Sequence, residues 1–348
     1  MEPERDLARL LPKAEVHLHL EGSITPATWL RVIQRHEPAT PLTVGDLTER
    51  IRFHGMDGFF EVWMQILYSL REPEDYRLAA YACGMDLARQ NVRYVELHTS
   101  IAGAQWTGRL NADEVMPAIA EGLDAARRDG GPEWRLIVDV IRELVAEGAG
   151  EIGLEIARRH KGLGVVAVGL GGDESRYAVD AARDILASAR AEGFFVTVHA
   201  GEAAGPESIR AALASGAHRI GHAATAARDP ELVESLAEGG VPLEMCPTSN
   251  VRTGAVPSLA AHPIGPFLRR GMNVSLNTDD PPLFGTDLVA EVRAVTKAFG
   301  LAPAEVVRLA RNAYGAAFLP DAEKAAMLAR FDADASVVEK QFTHQERG

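Results

Sequence analysis

The sequence predicts an α/β fold, a TIM (β/α)8 barrel with extra helices over its C-terminal mouth. Short apolar runs rich in β-branched residues alternate with longer helical patterns along nearly all 348 residues, which is typical of parallel strands joined by crossover helices. There are eight such runs, the number that closes a barrel. The first run lacks the G-x-G-x-x-G motif that an open dinucleotide-binding sheet would carry.

We expect a single domain over residues 1–348, because barrels with insertions reach this length. The predicted strands are Ala14–His19, Val92–His98, Arg135–Val140, Val165–Leu170, Phe194–His199, Arg219–His222, Pro242–Cys246 and Asn273–Asn277. Stretches with helical spacing lie between them, such as Asp113–Arg128, Tyr177–Glu192 and Glu231–Glu238. Helix C-caps directly before a strand are predicted at Gly193, Gly239 and Gly271.

Residues 25–75 are predicted to form a helical lid insertion after the first strand. Thr25 and Pro26 are typical of the N-cap and first position of a helix, which we expect to end near His36. A second, apolar helix is predicted over residues 56–67, either packing on the barrel or covering its mouth. An apolar lid would exclude water and suit a flat heterocyclic ligand.

At the C-terminal end of the chain, helices are predicted over Pro303–Tyr314 and Asp321–Arg330. We expect the tail after Phe331 to be poorly anchored.

The bulk properties exclude some classes of partner. A formal net charge of −13 argues against binding to nucleic acid or to an anionic membrane, both of which repel an acidic surface. We find no signal peptide and no apolar run long enough to span a membrane. Cys83 and Cys246 are the two cysteines, in unlike contexts. We therefore expect no disulfide framework and a cytoplasmic location.

Reactive side chains recur where the predicted strands end. In such a barrel the C-terminal strand ends form the active site, and strand alternation puts residues two apart on one face. The side chains concerned are His17 and His19 on strand one, His199 and Glu202 at strand five, His222 at strand six, and Asp279 and Asp280 at strand eight.

Three imidazoles and a carboxylate are a suitable ligand set for zinc with one position open for water. We predict one zinc ion per chain, held by a set consisting of His17, His19, His199 and Asp279. Zinc lowers the pKa of bound water to about 7 and so supplies a nucleophile at neutral pH. Glu202 is suited to donate a proton to the substrate, and His222 to accept or orient the proton of the water. Asp280 is expected to face the bound molecule.

Four ordered motifs, P-K-A-E-V-H-L-H-L-E-G-S, V-H-A-G-E, R-I-G-H and N-T-D-D-P-P, together resemble the adenosine deaminase family of zinc amidohydrolases. The resemblance extends from about Leu11 to about Leu319. It implies hydrolytic deamination of a 6-aminopurine, adenosine to inosine and ammonia in the best-known members.

By the same resemblance, each polar site residue has an implied role. Glu202 protonates purine N1, His222 serves the attacking water, Asp280 contacts N7, and the backbone N–H of Gly172 contacts N3. His19 and Glu21 are expected to contact the substrate. The implied apolar lid contacts are Met56, Phe59 and Phe60.

One departure from the family pattern bears on the substrate. Members specific for nucleosides carry Asp where this chain has Glu21, and that Asp binds the ribose 5′-hydroxyl; the extra methylene is expected to push the carboxylate further into the pocket. Deaminases of adenine and of 6-aminodeoxyfutalosine, a menaquinone precursor, resemble the H-L-E-G version. The segments T-D-D-P-P-L-F-G-T and C-P-T-S-N-V-R-T-G resemble nucleoside deaminases instead. The resemblance thus favours a purine nucleoside, adenosine or deoxyadenosine first, with 6-aminodeoxyfutalosine and adenine as alternatives.

Two other interpretations can be checked by the residues that each of them requires. Binuclear hydrolases of the wider superfamily use a bridging, carboxylated lysine at the end of strand four, where this chain reads V-G-L-G-G-D; a single metal is therefore favoured. A catalytically inactive metal- or nucleoside-binding protein is expected to lose Glu202 or His222, and both are present. The remaining histidines are expected to be structural or at the surface, namely His36, His54, His98, His160, His218, His262 and His344.

Overall fold

The computed structural model describes residues 6–343. Eight parallel strands follow one another in sheet order β1 to β8, so all eight predicted strands and the TIM-barrel fold class are confirmed. The strands are β1 Lys13–His19, β2 Val92–Thr99, β3 Glu133–Ile141, β4 Val165–Gly171, β5 Phe195–Ala200, β6 Arg219–His222, β7 Leu243–Met245 and β8 Val274–Leu276.

The barrel is closed at its C-terminal end by hydrogen bonds between β1 and the residues after β8. The backbone N–H of His19 donates to Asp279 O at 3.0 Å, and the N–H of Asp279 donates to His17 O at 3.2 Å. Residue Leu18 is bridged in parallel to Asp279. Closure of the sheet thus brings the first and last functional strand ends into direct contact.

Helices surround this barrel in the usual alternating order. They are α1 Leu7–Leu10, α2 Pro26–His36, α3 Val44–Arg50, α4 Gly55–Ser69, α5 Pro73–Arg89, α6 Ile101–Trp106, α7 Ala112–Arg128, α8 Ala149–His160, α9 Arg183–Ala191, α10 Pro206–Ala214, α11 Pro230–Glu238, α12 Pro247–Arg252, α13 Ile264–Arg269, α14 Pro281–Phe284, α15 Leu288–Phe299, α16 Pro303–Ala316 and α17 Asp321–Thr343.

Four helices, α2 to α5, fill the segment between β1 and β2 where the lid was predicted. Thr25 caps α2 as expected, since its hydroxyl oxygen accepts a hydrogen bond from the Thr28 N–H at 3.2 Å. The indole N–H of Trp29 donates to the Ser69 hydroxyl at 3.0 Å. This contact ties the buried face of α2 to the last turn of α4.

One prediction about a helix is wrong in detail. The helix predicted from Tyr177 begins at Arg183, after a 3-10 turn over Val179–Ala182. Gly239 is the C-cap of α11, as predicted; its backbone is right-handed, and the left-handed residue that follows is Gly240 with φ 60°. The error at Tyr177 lies at a helix boundary, where capping rather than periodicity decides the first residue.

Within the described residues, the segment after Phe331 is anchored, contrary to prediction, because α17 continues to Thr343. The Phe331 ring is buried 4.8 Å from the ring of Tyr314, and Ala335 is buried one turn further on. Arg311 and Asp332 add a surface ion pair between α16 and α17 at 2.7 Å. Residue 344, a histidine expected to be structural or at the surface, lies outside the described residues.

The buried cation Arg219 lies among two carboxylates and an aromatic ring. The Arg219 guanidinium pairs with Glu96 at 2.6 Å and with Glu244, and both carboxylates are fully buried. The same guanidinium lies 3.4 Å from the centre of the Phe318 ring. This arginine compensates the charge of two carboxylates, which desolvation and mutual repulsion would otherwise destabilise.

Cys83 and Cys246 are both buried free thiols. Among the described residues, every helix is too short or too polar to cross a lipid bilayer.

We expect Arg219→Met to lower the free energy of unfolding by about 3–5 kcal/mol, since it leaves two buried carboxylates without a counter-charge. Arg311→Met is the matched control, because it removes an arginine from an exposed ion pair worth less than about 1 kcal/mol. Urea denaturation of both variants measures the difference. Equal unfolding midpoints for the two variants would contradict the compensating role of Arg219.

Candidate active site

Two histidines of β1 point into the barrel mouth from one face of the strand. His17 and His19 alternate with Val16 and Leu18, which are buried on the opposite face. The Nε2 atoms of both histidines approach the Asp279 carboxylate, at 3.5 Å from His17 and 3.2 Å from His19. Closure of the barrel therefore puts strands one and eight at the same site.

The other predicted ligand joins this group from β5. His199 Nε2 lies 3.2 Å from His19 Nε2, so the structure brings together all four residues predicted to hold metal. The candidate ligand atoms of His17, His199, His222 and Asp279 also lie within 4.8 Å of one another. His222 thus belongs to the same cluster.

The donor set fits a divalent transition ion. His17 Nε2 is buried and makes no hydrogen bond within residues 6–343, which is the state expected of a nitrogen reserved for a metal. Imidazole nitrogens with one carboxylate oxygen are ligands that zinc prefers. Their assignment as metal ligands stays a prediction.

Hydrogen bonds from outside the cluster fix the orientation of its members, as is usual for metal ligands. Glu244 lies 2.7 Å from His17 Nδ1, and Leu170 O lies 3.0 Å from His199 Nδ1. The Ser249 hydroxyl donates to the Asp279 carboxylate at 2.7 Å. Each ring therefore presents its Nε2 to the centre.

Sequence analysis missed Asp139 and Glu244. Asp139 on β3 lies 3.4 Å from His19 Nδ1 and 2.7 Å from His98 Nδ1. The His98 ring is buried 4.8 Å from that of His19, so of the two expected positions, structural or at the surface, it has the structural one, beside the site. The available signal was a single acidic residue within an apolar strand, in I-V-D-V for Asp139 and P-L-E-M for Glu244.

Unusual backbone conformations coincide with the site. Among the described non-glycine residues, positive φ occurs at four positions, and His222 with φ 63° and Asp279 with φ 67° are two of them. Such conformations cost free energy and persist where surrounding interactions hold them. For Asp279 those interactions are the two backbone hydrogen bonds that close the barrel.

Glu202 is held on a turn beside His222. Its carboxylate lies 3.4 Å from His222 Nε2. The turn is fixed by Glu174, whose carboxylate accepts hydrogen bonds from four successive N–H groups, of residues 201 to 204, at 2.6–2.9 Å. Burial, followed by repulsion from Asp279, raises the pKa of Glu202 to about 8. Glu202 is consequently a proton donor at neutral pH.

A chain of hydrogen bonds sets the tautomer of His222. The Ile264 N–H donates to His262 Nδ1 at 3.2 Å, so the other nitrogen of His262 carries the proton and donates to Asn250 Oδ1 at 3.1 Å. The Asn250 amide N–H then donates to His222 Nδ1 at 3.0 Å. Neutral His222 therefore carries its proton on Nε2, which suits it to donate to a water molecule rather than to accept from one.

Asp279 and Asp280 are neighbours whose pKa values shift in opposite directions. Although burial disfavours the charged form, the His17 and His19 imidazoles beside its carboxylate hold the pKa of Asp279 well below its ordinary value. Burial and the charge of Asp279 raise the pKa of Asp280 well above its ordinary value. Asp280 Oδ1 is buried without a hydrogen-bond partner in the described residues, so this carboxyl has an oxygen that no described residue satisfies.

A glycine in the first motif makes room for Asp280. A Cβ atom on Gly22 would lie 1.5 Å from Asp280 Oδ1, a distance that no side chain tolerates. Gly172 has φ 99°, and a Cβ there would lie 2.1 Å from Glu143 Oε2. Both glycines are thus required by close approach.

A cavity of about 400 Å³ opens above the cluster, within the range of small-molecule sites. It is lined by nearly all of the predicted site residues, namely His19, Met56, Phe59, Phe60, Gly172, His199, Glu202, His222, Asp279 and Asp280. Lid helix α4 therefore covers the mouth, and site residues from the ends of five strands face one cavity.

Glu21 is the exception among the predicted substrate contacts. It does not line the cavity, because its carboxylate accepts hydrogen bonds from the Thr99 hydroxyl at 3.2 Å and the Ser100 N–H at 3.1 Å. The expectation that the longer side chain pushes its carboxylate into the pocket is wrong. The added methylene lets Glu21 reach the end of β2.

Comparison with known proteins matches the whole barrel. The family model described as adenosine deaminase matches residues 12–334. An aminodeoxyfutalosine deaminase of Streptomyces coelicolor is 37% identical over 325 residues, covering 92% of this chain and 84% of the relative. An adenosine deaminase of Klebsiella pneumoniae is 36% identical over 329 residues, covering 92% and 97%. An adenine deaminase of Sinorhizobium fredii is 32% identical over 320 residues, covering 92% and 98%.

One similar solved structure contains a metal ion. An amidohydrolase from Burkhoderia ambifaria with bound Zn superposes with a TM-score of 0.87 at 25% identity, covering 99% of this chain and 96% of that one. The similarity thus includes a zinc-containing protein.

We expect Glu174→Gln to loosen the turn that carries Glu202, because an amide offers one acceptor oxygen where the carboxylate offers two. Amide hydrogen exchange at residues 201–204 should accelerate about 10- to 100-fold, as the loss of a charge-assisted hydrogen bond implies. Glu207→Gln is the control, since exposed Glu207 accepts from the single N–H of Gly205. Unchanged amide exchange rates in the Glu174 variant would show that the turn is stable without these hydrogen bonds.

Proposed function

Since this chain belongs to the adenosine deaminase family, we propose that it deaminates a 6-aminopurine nucleoside by hydrolysis. The chain is a hydrolase acting on C–N bonds of cyclic amidines. The names of its relatives indicate adenosine, adenine or aminodeoxyfutalosine as substrate. In the proposed reaction, water replaces the amino group at C6 and ammonia leaves; with adenosine the product is inosine.

The observation that carries the proposal is a neutral carboxyl facing a cluster of metal-type ligands in one cavity. Addition of oxygen at C6 breaks the aromaticity of the ring and pushes an electron pair onto N1, where a proton delivered at the same time neutralises the charge. Glu202, with its pKa raised to about 8 by burial and by Asp279, has the proton that this step needs. Its position beside the cluster supports the role of acid toward N1.

One zinc ion per chain fits the donor set and would be held by His17, His19, His199 and Asp279. When bound, zinc lowers the pKa of a coordinated water to about 7. The Nε2 proton of His222 supports a role in orienting the attacking water and stabilising its developing charge. The position of this proton favours orientation of the water, rather than acceptance of its proton, as the role of His222.

The purine itself has further partners on the cavity wall. Asp280, whose pKa is raised well above its ordinary value, has an oxygen without a hydrogen-bond partner in the described residues, which supports a hydrogen bond to N7, an acceptor atom. Gly172 lines the same cavity, in keeping with a backbone contact to N3. Met56 and Phe59 from α4 offer an apolar cover that excludes water from the reacting carbon.

The length of the cavity favours a nucleoside over a free base. Residues from Met56 to Tyr68 of α4 line it, and a rise of 1.5 Å per residue gives an extent of about 18 Å along that helix. A purine ring alone is far shorter. Glu143 Oε2 is a buried acceptor without a hydrogen-bond partner in the described residues, and Glu143 also lines the cavity. Such an acceptor suits a sugar hydroxyl.

We expect Glu202→Gln to reduce kcat for deamination of adenosine by about 100- to 10,000-fold, because the amide cannot supply the proton for N1. Bound zinc and the unfolding midpoint should be unchanged. The fall of ultraviolet absorbance as the amino group becomes an oxo group measures the rate. Exposed Glu207→Gln is the control; turnover that survives in Glu202→Gln would remove the acid role.

The same assay compares nucleoside and base on the unmodified chain. We expect kcat/KM for adenosine to exceed that for adenine at neutral pH. A strong preference for adenine would contradict the nucleoside proposal while leaving the deaminase chemistry intact. The complete absence of deamination with zinc bound would favour the inactive binding protein.

A further inference from the structure

His19 differs from the other predicted histidine ligands in what lies against its second ring nitrogen. His17 has a glutamate beside Nδ1, and His199 has a backbone carbonyl there. The Nδ1 atom of His19 instead lies 3.4 Å from Asp139 Oδ2, on β3. Because an ionised carboxylate only accepts hydrogen bonds, this neighbour favours a proton on Nδ1 and leaves the lone pair of Nε2 for an ion.

The Asp139 carboxylate faces two imidazoles, one with each oxygen. Its Oδ1 lies 2.7 Å from His98 Nδ1, while its Oδ2 faces His19. The register of the sheet brings the two rings together, since His19 on β1 is paired with His98 on β2. Asp139 and His98 are both buried. The carboxylate is thus fixed from β2 and directed at β1.

Gly169 on β4 leaves the space that this carboxylate fills. It is the register partner of Asp139, so a side chain there would stand directly beside that of Asp139. A Cβ on Gly169 would lie 2.1 Å from Asp139 Oδ1 and 3.2 Å from His98 Nδ1. Gly171 lies two residues along on the same face, and a Cβ there would make an ordinary contact, 3.6 Å from His199 Cε1. The close approach at Gly169 therefore coincides with the Asp139 carboxylate.

A purely structural role accounts for only part of this arrangement. A buried carboxylate needs a hydrogen-bond donor, and His98 meets that need at Oδ1. The need does not require Oδ2 to lie beside His19, which lines the cavity. The His19 side chain is also 11% exposed, whereas that of His98 is fully buried. The second oxygen of Asp139 therefore faces the more accessible ring.

We propose that Asp139 positions His19 for metal binding, and that His98 fixes the Asp139 carboxylate in the space left by Gly169. The proposal rests on the proposed function, since the metal concerned is the zinc ion proposed there. Asp139 is a positioning residue, because it acts through the tautomer and orientation of His19. Partners of this kind typically contribute about 10- to 100-fold to metal affinity.

The first test measures the affinity of the metal-stripped chain for zinc, by competition with a chelator and without substrate. We expect Asp139→Asn to raise the Kd for zinc about 10- to 100-fold, because one amide oxygen cannot accept from two imidazoles. Asp113→Asn is the matched control, since the exposed Asp113 carboxylate lies 3.1 Å from His160 Nε2, outside the cavity. Equal Kd values for the two variants would overturn the proposal.

The second test uses the glycine. Gly169→Ala should also raise the Kd for zinc, because its Cβ displaces the Asp139 carboxylate, whereas Gly171→Ala should leave the Kd within about twofold. In a chain that already carries Asp139→Ala, the change Gly169→Ala should have no further effect, since the displaced group is gone. Additive losses in that double variant would overturn the role of Gly169.

A measurement on the unmodified chain remains valid if the variants fail to fold. Nitrogen NMR of the histidine-labelled, zinc-loaded chain should show His19 with its proton on Nδ1 and zinc on Nε2. Zinc on Nδ1 of His19 would overturn the proposal, because the face of the ring toward Asp139 would then hold the metal.

The kinetics of Asp139→Asn separate positioning from substrate binding, since Asp139 also lines the cavity. A raised KM for adenosine with unchanged zinc affinity would overturn the proposal and make Asp139 a substrate contact. Adenosine is still deaminated in that case, so the proposed function stands. If the unmodified chain binds zinc and deaminates no purine, the proposed function falls, while the zinc affinities still test Asp139. An unmodified chain that binds no zinc would overturn both.

Discussion

The barrel and its site depend on one short connection between the two ends of the sheet. Asp279 joins β1 through its backbone N–H and C=O, and its carboxylate receives His17 and His19 from the same strand. The left-handed backbone at this residue is sustained by those bonds. Because one residue closes the sheet and gathers the donors, correct closure and assembly of the metal-type cluster are a single structural event.

Buried charged groups interact with one another from inside the barrel up to its mouth. Glu244 accepts from Arg219 inside the barrel and lies against His17 Nδ1 at the site. The same carboxylate therefore contributes both to the stability of the fold and to the orientation of a site residue. Arg219, despite the burial of Glu244, holds the pKa of that carboxyl at about 2. At the mouth, the pKa values of Asp279 and Asp280 are driven apart, which gives adjacent carboxyls different chemistry. One pair of neighbours thus provides a carboxylate that favours its charged form and a carboxyl that favours its protonated form.

Sequence patterns predicted the strands and the side chains at their ends, because period-two alternation and strand-end placement are local rules. They did not predict Glu244, His98 or Asn250, whose roles come from contacts between distant strands and loops. Glu21 was misjudged for the same reason, since its hydrogen bonds to Thr99 and Ser100 depend on how β2 packs beside β1. The tail was misjudged because burial of Phe331 against Tyr314 is a tertiary contact.

The most direct test of this account is a zinc titration of chelator-stripped protein, with bound metal and deamination rate measured on the same samples. Convergence of β1, β5 and the end of β8 on one ion predicts that activity is absent without metal and rises linearly to a plateau at one zinc ion per chain. Full activity in metal-free protein, or a plateau reached only at two ions per chain, would contradict it.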